Sequence, residues 1–115
     1  MEIENSNFLT QEEVFPVLER IIQNEIEFVP NPISIDDGLQ KVVGLDSIEM
    51  VCVIVKMEEI FDVAFSETVE KKMKTVKNLV DFVLGNINSE DISSIREKMS
   101  TYLQENPISQ AKEEE

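Results

Sequence analysis

Apolar residues recur every three or four positions along most of the chain, which is the spacing of helices with one buried face. Thr10 and Glu13 are spaced as a capping box, so the pattern predicts a first helix that runs to about Ile26. Residues 27–45 contain prolines and glycines and are predicted to form a loop with a single short helical turn near Leu39–Val43. Three apolar residues are expected to anchor this loop in the core: Ile33, Ile35 and Leu39.

The second predicted helix carries apolar residues on two sides. Asp46 and Glu49 form another capping box, so this helix should run from there to about Phe61. At about 100° per residue, one side is predicted to face the core: Met50, Val53, Ile54, Met57, Ile60 and Phe61. The other side carries a second apolar stripe: Ile48, Val51 and Val55. Such a helix is either fully buried or contacts a partner, and the acidic residues beside the stripe favour a partner.

Three shorter helical patterns complete the chain. Ser66 can cap a short helix through about Lys71, and Thr75 can cap a fourth helix that ends at Gly85. A fifth pattern spans about residues 89–105, with apolar residues at helical spacing: Ile92, Ile95, Met99, and Leu103 or Tyr102. Packing of this helix on its own domain and contact with a partner both remain open. The sequence therefore predicts an all-α domain over residues 1–87 and a helical extension over residues 88–115 with a mobile acidic tail.

Composition excludes several kinds of function. The chain has no His and a single Cys, which removes a Ser-His-Asp triad, a Cys-His pair, and zinc sites of the His-containing or all-thiolate kind. The three glycines are too scattered for a phosphate-binding loop, and no calcium-binding loop of the EF-hand type occurs. We therefore expect neither catalysis nor a metal.

Charge points to the kind of partner. Acidic residues outnumber basic ones 24 to 10, which gives a net charge of −14. Such a chain is poorly suited to nucleic acid, whereas it attracts partners with basic surfaces. Basic residues concentrate in a lysine cluster, predicted to be a solvated face that balances the acidic half: Lys71, Lys72, Lys74 and Lys77.

The sequence also bears on location. No apolar run approaches the roughly 20 residues that span a bilayer, and the acidic N-terminus does not resemble a signal peptide. A single cysteine fits a reducing compartment. We expect a cytoplasmic protein that does not enter membranes and is a monomer, with contacts through the C-terminal helix as an open alternative.

Four features, in order along the chain, resemble the acyl carrier proteins. They are Gly-Leu-Asp-Ser-Ile at residues 44–48, the acidic helix ending at residues 57–62, a short third helix followed by residues 71–73, and Thr-Val-Lys-Asn-Leu-Val-Asp-Phe-Val at residues 75–83. The resemblance covers about residues 8–87 and implies a four-helix bundle of three longer helices and one short helix. The fifth helix is an addition to that pattern.

The resemblance implies that Ser47 carries a 4′-phosphopantetheine arm, derived from coenzyme A and attached by a phosphopantetheinyl transferase that recognises Asp46. Acyl groups for fatty-acid or polyketide-type biosynthesis would be carried on this arm as thioesters. It further implies that enzymes that load, condense or transfer acyl groups bind, through basic surfaces, to one set of residues: Ile48, Glu49, Val51, Val55, Glu58 and Glu59.

Three positions depart from the common fatty-acid pattern. Cys52 stands where an acid is usual, Ile60 replaces the last acid of the helix ending, and Lys56 adds a positive charge. These departures suggest a specialised pathway. A peptidyl or aminoacyl carrier and a carrier-like structural subunit of a complex remain the alternatives.

Overall fold

The computed structural model describes residues 9–25 and 33–107, and every regular element within them is helical. Five helices are present: α1 (Gln11–Glu25), α2 (Ser47–Phe61), α3 (Glu67–Lys72), α4 (Val76–Asn86) and α5 (Ile92–Glu105). A π-helical turn precedes α2 (Leu39–Val43), and a 3-10 turn precedes α5 (Ser89–Asp91). The predicted all-α class is confirmed. The expected end of the first helix near Ile26 and the acidic tail beyond residue 107 lie outside the described residues.

Side-chain caps begin α2, α3 and α4 where the sequence predicted them. Asp46 Oδ1 accepts a hydrogen bond from the Glu49 N–H at 2.8 Å, and Glu49 Oε1 accepts one from the Asp46 N–H at 3.0 Å. The hydroxyls of Ser66 and Thr75 each accept from the N–H three residues later, both at 3.1 Å. These bonds satisfy donors that have no partner within a helix, which fixes where each helix begins.

Gly85 does not end α4, so that prediction was wrong. The helix continues to Asn86, and the positive φ that a terminating glycine adopts is found at Gly44 instead. Ile87 ends the helix in an extended conformation at φ −75°, and the Asn86 side chain donates to the Phe82 carbonyl at 2.8 Å. The end of the helix is therefore satisfied without a left-handed residue.

The core lies between α1, α2, α4 and α5. Its fully buried members include Leu18 of α1, Met57 and Phe61 of α2, and Leu79 of α4. Ile33 and Leu39 are buried as expected, and Ile35 is partly buried against the core cluster, so the connection before α2 is anchored to the core. α3 contributes no buried residue and lies at the periphery of the bundle.

The fifth helix packs on α1 and α2 and shares their core. Its buried residues are Ile92, Ile95, Met99 and Tyr102, whereas Leu103 is only partly buried. Burial raises the pKa of Tyr102. Of the two arrangements left open by the sequence, the helix thus adopts packing on its own chain. The domain boundary near residue 87 stays a prediction.

Polar contacts also attach α5 to α1. The Arg20 guanidinium donates to the carbonyls of Leu103 and Asn106, at 3.2 and 3.1 Å, where α5 ends. Arg96 pairs with Glu13 at 3.1 Å, and this guanidinium lowers the pKa of Glu13 below its ordinary value of 4.5. Contacts between residues more than 80 positions apart therefore position the extra helix.

Candidate functional site

The segment before α2 is held against the start of α4. The Leu39 N–H donates to the Lys74 carbonyl at 2.8 Å, and the first two N–H groups of α4 donate to the carbonyls of Asp37 and Ile35, at 3.0 and 2.8 Å. The loop therefore satisfies donors at the start of α4 that have no partner within the helix. In return, the loop is fixed in position, and with it the turn that leads into α2.

A tight turn then leads into α2 and places the start of this helix at the protein surface. The Val43 N–H donates to the Gly38 carbonyl at 3.0 Å, which closes the π-helical turn, and Gly44 follows in the left-handed region with φ 89° and ψ 24°. Residues with side chains seldom adopt that conformation, so the position favours glycine. Leu45 is buried next, and this anchors the turn immediately before Asp46 and Ser47.

Ser47 is the first residue of α2 and is exposed. The capping bond at this helix start comes from Asp46, and the Ser47 hydroxyl makes no hydrogen bond to the residues that the structure describes. Asp46 therefore caps α2, as the sequence predicted, and Ser47 does not. Ser47 thus presents a hydroxyl that is not engaged by any residue in ranges 9–25 and 33–107.

A groove of about 980 Å³ opens beside Ser47, between the start of α2 and α3. Its apolar lining residues are Leu39, Leu45, Met50, Val51 and Met73. Charged residues also line it: Asp46, Glu67, Glu70, Lys71 and Lys74. Both apolar and charged side chains therefore line the groove that contains Ser47.

The two-sided prediction for α2 is confirmed. Its predicted core side is buried, apart from Met50, which is partly buried. The second stripe is open to solvent, with exposed fractions of 75% for Ile48, 50% for Val51 and 45% for Val55. Cys52 is exposed as well. An apolar stripe this accessible, beside an unused hydroxyl, is typical of a surface that binds partners.

The three acidic residues predicted to contact partners each have a contact within the chain. Glu49 belongs to the capping box, Glu58 Oε2 accepts from the Phe65 N–H at 2.9 Å, and Glu59 pairs with Lys56 at 3.3 Å. The Glu58 bond supports the turn after α2 and spans seven residues, so no local sequence pattern signals it. Lys56 offsets the charge of Glu59 on this side of the helix.

Two residues of the lysine cluster line the groove beside Ser47. The sequence did not indicate this position. Lys71 and Lys74 line the groove with Ser47, whereas Lys77 pairs with Asp81 at 3.0 Å. About 25 residues separate these lysines from Ser47 along the chain, and only the folded loop and α3 bring them together. Their clustering in sequence was the one available signal.

The described part of the chain contains no group of His, Cys, Asp and Glu side chains arranged to hold a metal. Among the described residues, no helix is both long enough and apolar enough to cross a bilayer.

Residues 16–83 match the family model described as "Phosphopantetheine attachment site", which covers more than half of the chain. The chain belongs to that family. The matched residues include the turn, α2, α3 and most of α4, and they end before α5. The family carries phosphopantetheine and is non-catalytic, as the sequence predicted.

Relatives of this carrier bear names that agree with the resemblance seen in the sequence. The chain is 27% identical over 78 residues to the acyl carrier protein of Phytoplasma mali, a match of 68% of this chain and 93% of the relative. It is 27% identical over 79 residues to that of Coprothermobacter proteolyticus, covering 69% and 96%. The mitochondrial acyl carrier protein of Saccharomyces cerevisiae is 30% identical over 73 residues, covering 64% and 58%. The chain is thus a phosphopantetheine-carrying protein that is similar to proteins named acyl carrier protein.

Proposed function

We propose that Ser47 is the residue to which the 4′-phosphopantetheine arm is attached. The observation that carries this proposal is an exposed hydroxyl on the first residue of α2, unused by the helix cap and located at the groove. The fold fits the group, because the turn presents the hydroxyl while the apolar groove residues lie alongside. Asp46, adjacent and exposed, is the residue that we propose the transferase recognises.

The chemistry that this arrangement supports is phosphoryl transfer to a serine. Ser47 Oγ attacks the phosphorus of coenzyme A that bears the pantetheine. A new Oγ–P bond forms, the bond from this phosphorus to the bridging pyrophosphate oxygen breaks, and adenosine 3′,5′-bisphosphate leaves. We propose that the proton of the hydroxyl passes to a base of the transferase, since this chain has no histidine to accept it. Once bound, the arm supplies a thiol that holds acyl groups as thioesters.

The partners that we propose are the transferase and enzymes that load, condense or transfer acyl groups. The exposed stripe of Ile48, Val51 and Val55 would bind apolar residues of these enzymes, and Glu49, Glu58 and Glu59 would face their basic side chains. The Lys56–Glu59 pair makes this surface less acidic, which supports a specialised fatty-acid or polyketide-type pathway. We propose a cytoplasmic site of action.

Intact-mass measurement tests the attachment site. The protein is incubated with coenzyme A and a broad-specificity phosphopantetheinyl transferase, beside Ser47→Ala and Ser93→Ala. Ser93 is a matched control, since it is also an exposed serine in the first turn of a helix. We expect a gain of about 340 Da for the parent and Ser93→Ala and none for Ser47→Ala. A gain on Ser47→Ala, or no gain on the folded parent, would contradict the proposal.

A further inference from the structure

The lining of the groove beside Ser47 includes two lysines together with the carboxylates of Asp46, Glu67 and Glu70. Lys71 and Lys74 both line it, and neither makes an ion pair within the part of the chain that the structure describes. Lys77, in contrast, is paired with Asp81, and Lys72 is exposed without lining the groove. Two of the four clustered lysines are therefore available to an anion in the groove.

The proposed attachment of the arm would create such an anion. Joining the arm to Ser47 Oγ adds a phosphodiester with a negative charge at a place already flanked by the carboxylates of Asp46 and Glu49. Like charges on neighbouring groups repel one another. The N–H groups of the first turn of α2 offset part of that repulsion, although the Glu49 N–H is already taken by Asp46. Lys71 and Lys74 are the basic residues that line the groove, so they supply the positive charge that this chain offers to the phosphodiester there.

We propose that Lys71 and Lys74 bind the phosphodiester of the arm and hold the start of the arm along the groove. This inference rests on the attachment at Ser47 proposed above. The lysines are positioning residues, since they contact the linkage and take no part in forming it. Lysine suits this role because its ammonium is a compact charge on a flexible stem that reaches a phosphate from the groove edge.

Nuclear magnetic resonance of the arm-bearing protein tests this role without any enzyme activity. The ³¹P shift of the phosphodiester is followed while NaCl rises from about 0.02 to about 0.5 M, since salt screens an exposed ion pair. The double variant Lys71→Gln/Lys74→Gln is compared with the parent and with Lys72→Gln. Lys72 is the matched control, because it lies between the two, shares the C-terminal turn of α3 with Lys71, and does not line the groove.

We expect the salt response of the parent and Lys72→Gln to be at least about threefold larger than that of the double variant. An equal response in the double variant would overturn the inference. In the unmutated protein, attachment of the arm should shift the ε-methylene signals of Lys71 and Lys74 but not those of Lys72, a result that does not depend on how the variants fold. If all three lysines shift alike, or none does, the inference fails.

Two further comparisons separate the possible causes of failure. Absence of any phosphodiester signal after transferase treatment would contradict the proposed attachment, whereas a signal without lysine dependence contradicts the lysine role alone. The arm is also examined as the bare thiol, with a saturated acyl group, and with an acyl group that ends in a carboxylate. A lysine response seen with the carboxylate cargo and not with the bare arm would assign these residues to cargo and overturn the phosphodiester assignment.

Discussion

Replacement of Ile95 by alanine tests whether the extra helix is part of the core or an appendage. Ile95 lies on α5 and is fully buried, within the same cluster as the core residues of α1, α2 and α4. The family match ends before α5, so a carrier fold in which α1 to α4 were sufficient would hardly depend on this side chain. The packing of α5 on α1 and α2 predicts the opposite.

The expected cost follows from the burial of this side chain. Ile95→Ala removes three buried carbons, worth about 0.8 kcal/mol each, and leaves a cavity that adds to the loss. We therefore expect the free energy of unfolding to fall by about 3 kcal/mol. Domains of this size have a total free energy of unfolding of about 5–15 kcal/mol, so this loss is a large part of it. For a domain of this size, such a loss lowers the melting temperature by about 10 °C.

Urea unfolding followed by circular dichroism at a helical wavelength measures this difference. Ile48→Ala is the matched control, because the substitution is the same and Ile48 is 75% exposed, so its cost should stay below about 0.5 kcal/mol. The parent should unfold in a single transition that includes α5. A loss of less than about 1 kcal/mol for Ile95→Ala, or a separate early transition that contains its effect, would refute the reasoning.

Three other predictions use the same unfolding measurement. Arg96→Gln should cost about 0.5 kcal/mol near neutral pH, because its pair with Glu13 is partly screened by solvent. Arg96 lowers the pKa of Glu13, so the stability from this ion pair is present above pH 4.5 and is lost as the pH falls through the lowered pKa. A stability difference between the parent and Arg96→Gln that persists near pH 2 would contradict this. Gly85→Ala should raise the free energy of unfolding by about 0.5–1 kcal/mol, since the residue is helical with open space around it. Gly44→Ala should lower it by about 1 kcal/mol, because Gly44 has a φ of +89°. A change of the same sign at both positions would contradict this reasoning. Asp46→Ala should cost about 1 kcal/mol and Asp46→Asn much less, because asparagine also caps; equal losses would show that the cap is not the cause.

Helix starts could be predicted from the sequence because their causes are local. The hydroxyl or carboxylate of a cap and the N–H that it accepts from lie three residues apart, so Asp46, Ser66 and Thr75 were recognisable without a fold. The two faces of α2 follow equally from its periodicity. The prediction for Gly85 failed although its cause is also local, because the Asn86 side chain and the extended Ile87 provide another way to end α4.

Other features could not be predicted from the sequence because they depend on contacts between residues that lie far apart along the chain. The choice of Tyr102 over Leu103 as the buried residue depends on how α5 rotates against α1, where Arg20 holds its last turn. The π-helical character of the turn before α2 depends on the Val43–Gly38 bond, within a loop held by Lys74. Likewise, the lysines of the groove come to Ser47 only because that loop ties α2 to the segment after α3.

The position of α5 relative to the exposed stripe bears on why this helix exists. α5 covers the side of α2 at Ile60, which is buried, and Lys98 reaches the Glu59 carbonyl at 3.4 Å. It leaves Ile48, Val51 and Val55 open, although covering them would remove apolar surface from water and stabilise the fold. Stability alone therefore does not explain the arrangement. A chain that adds core through α5 while leaving this stripe accessible retains the surface through which we propose that it binds its enzymes.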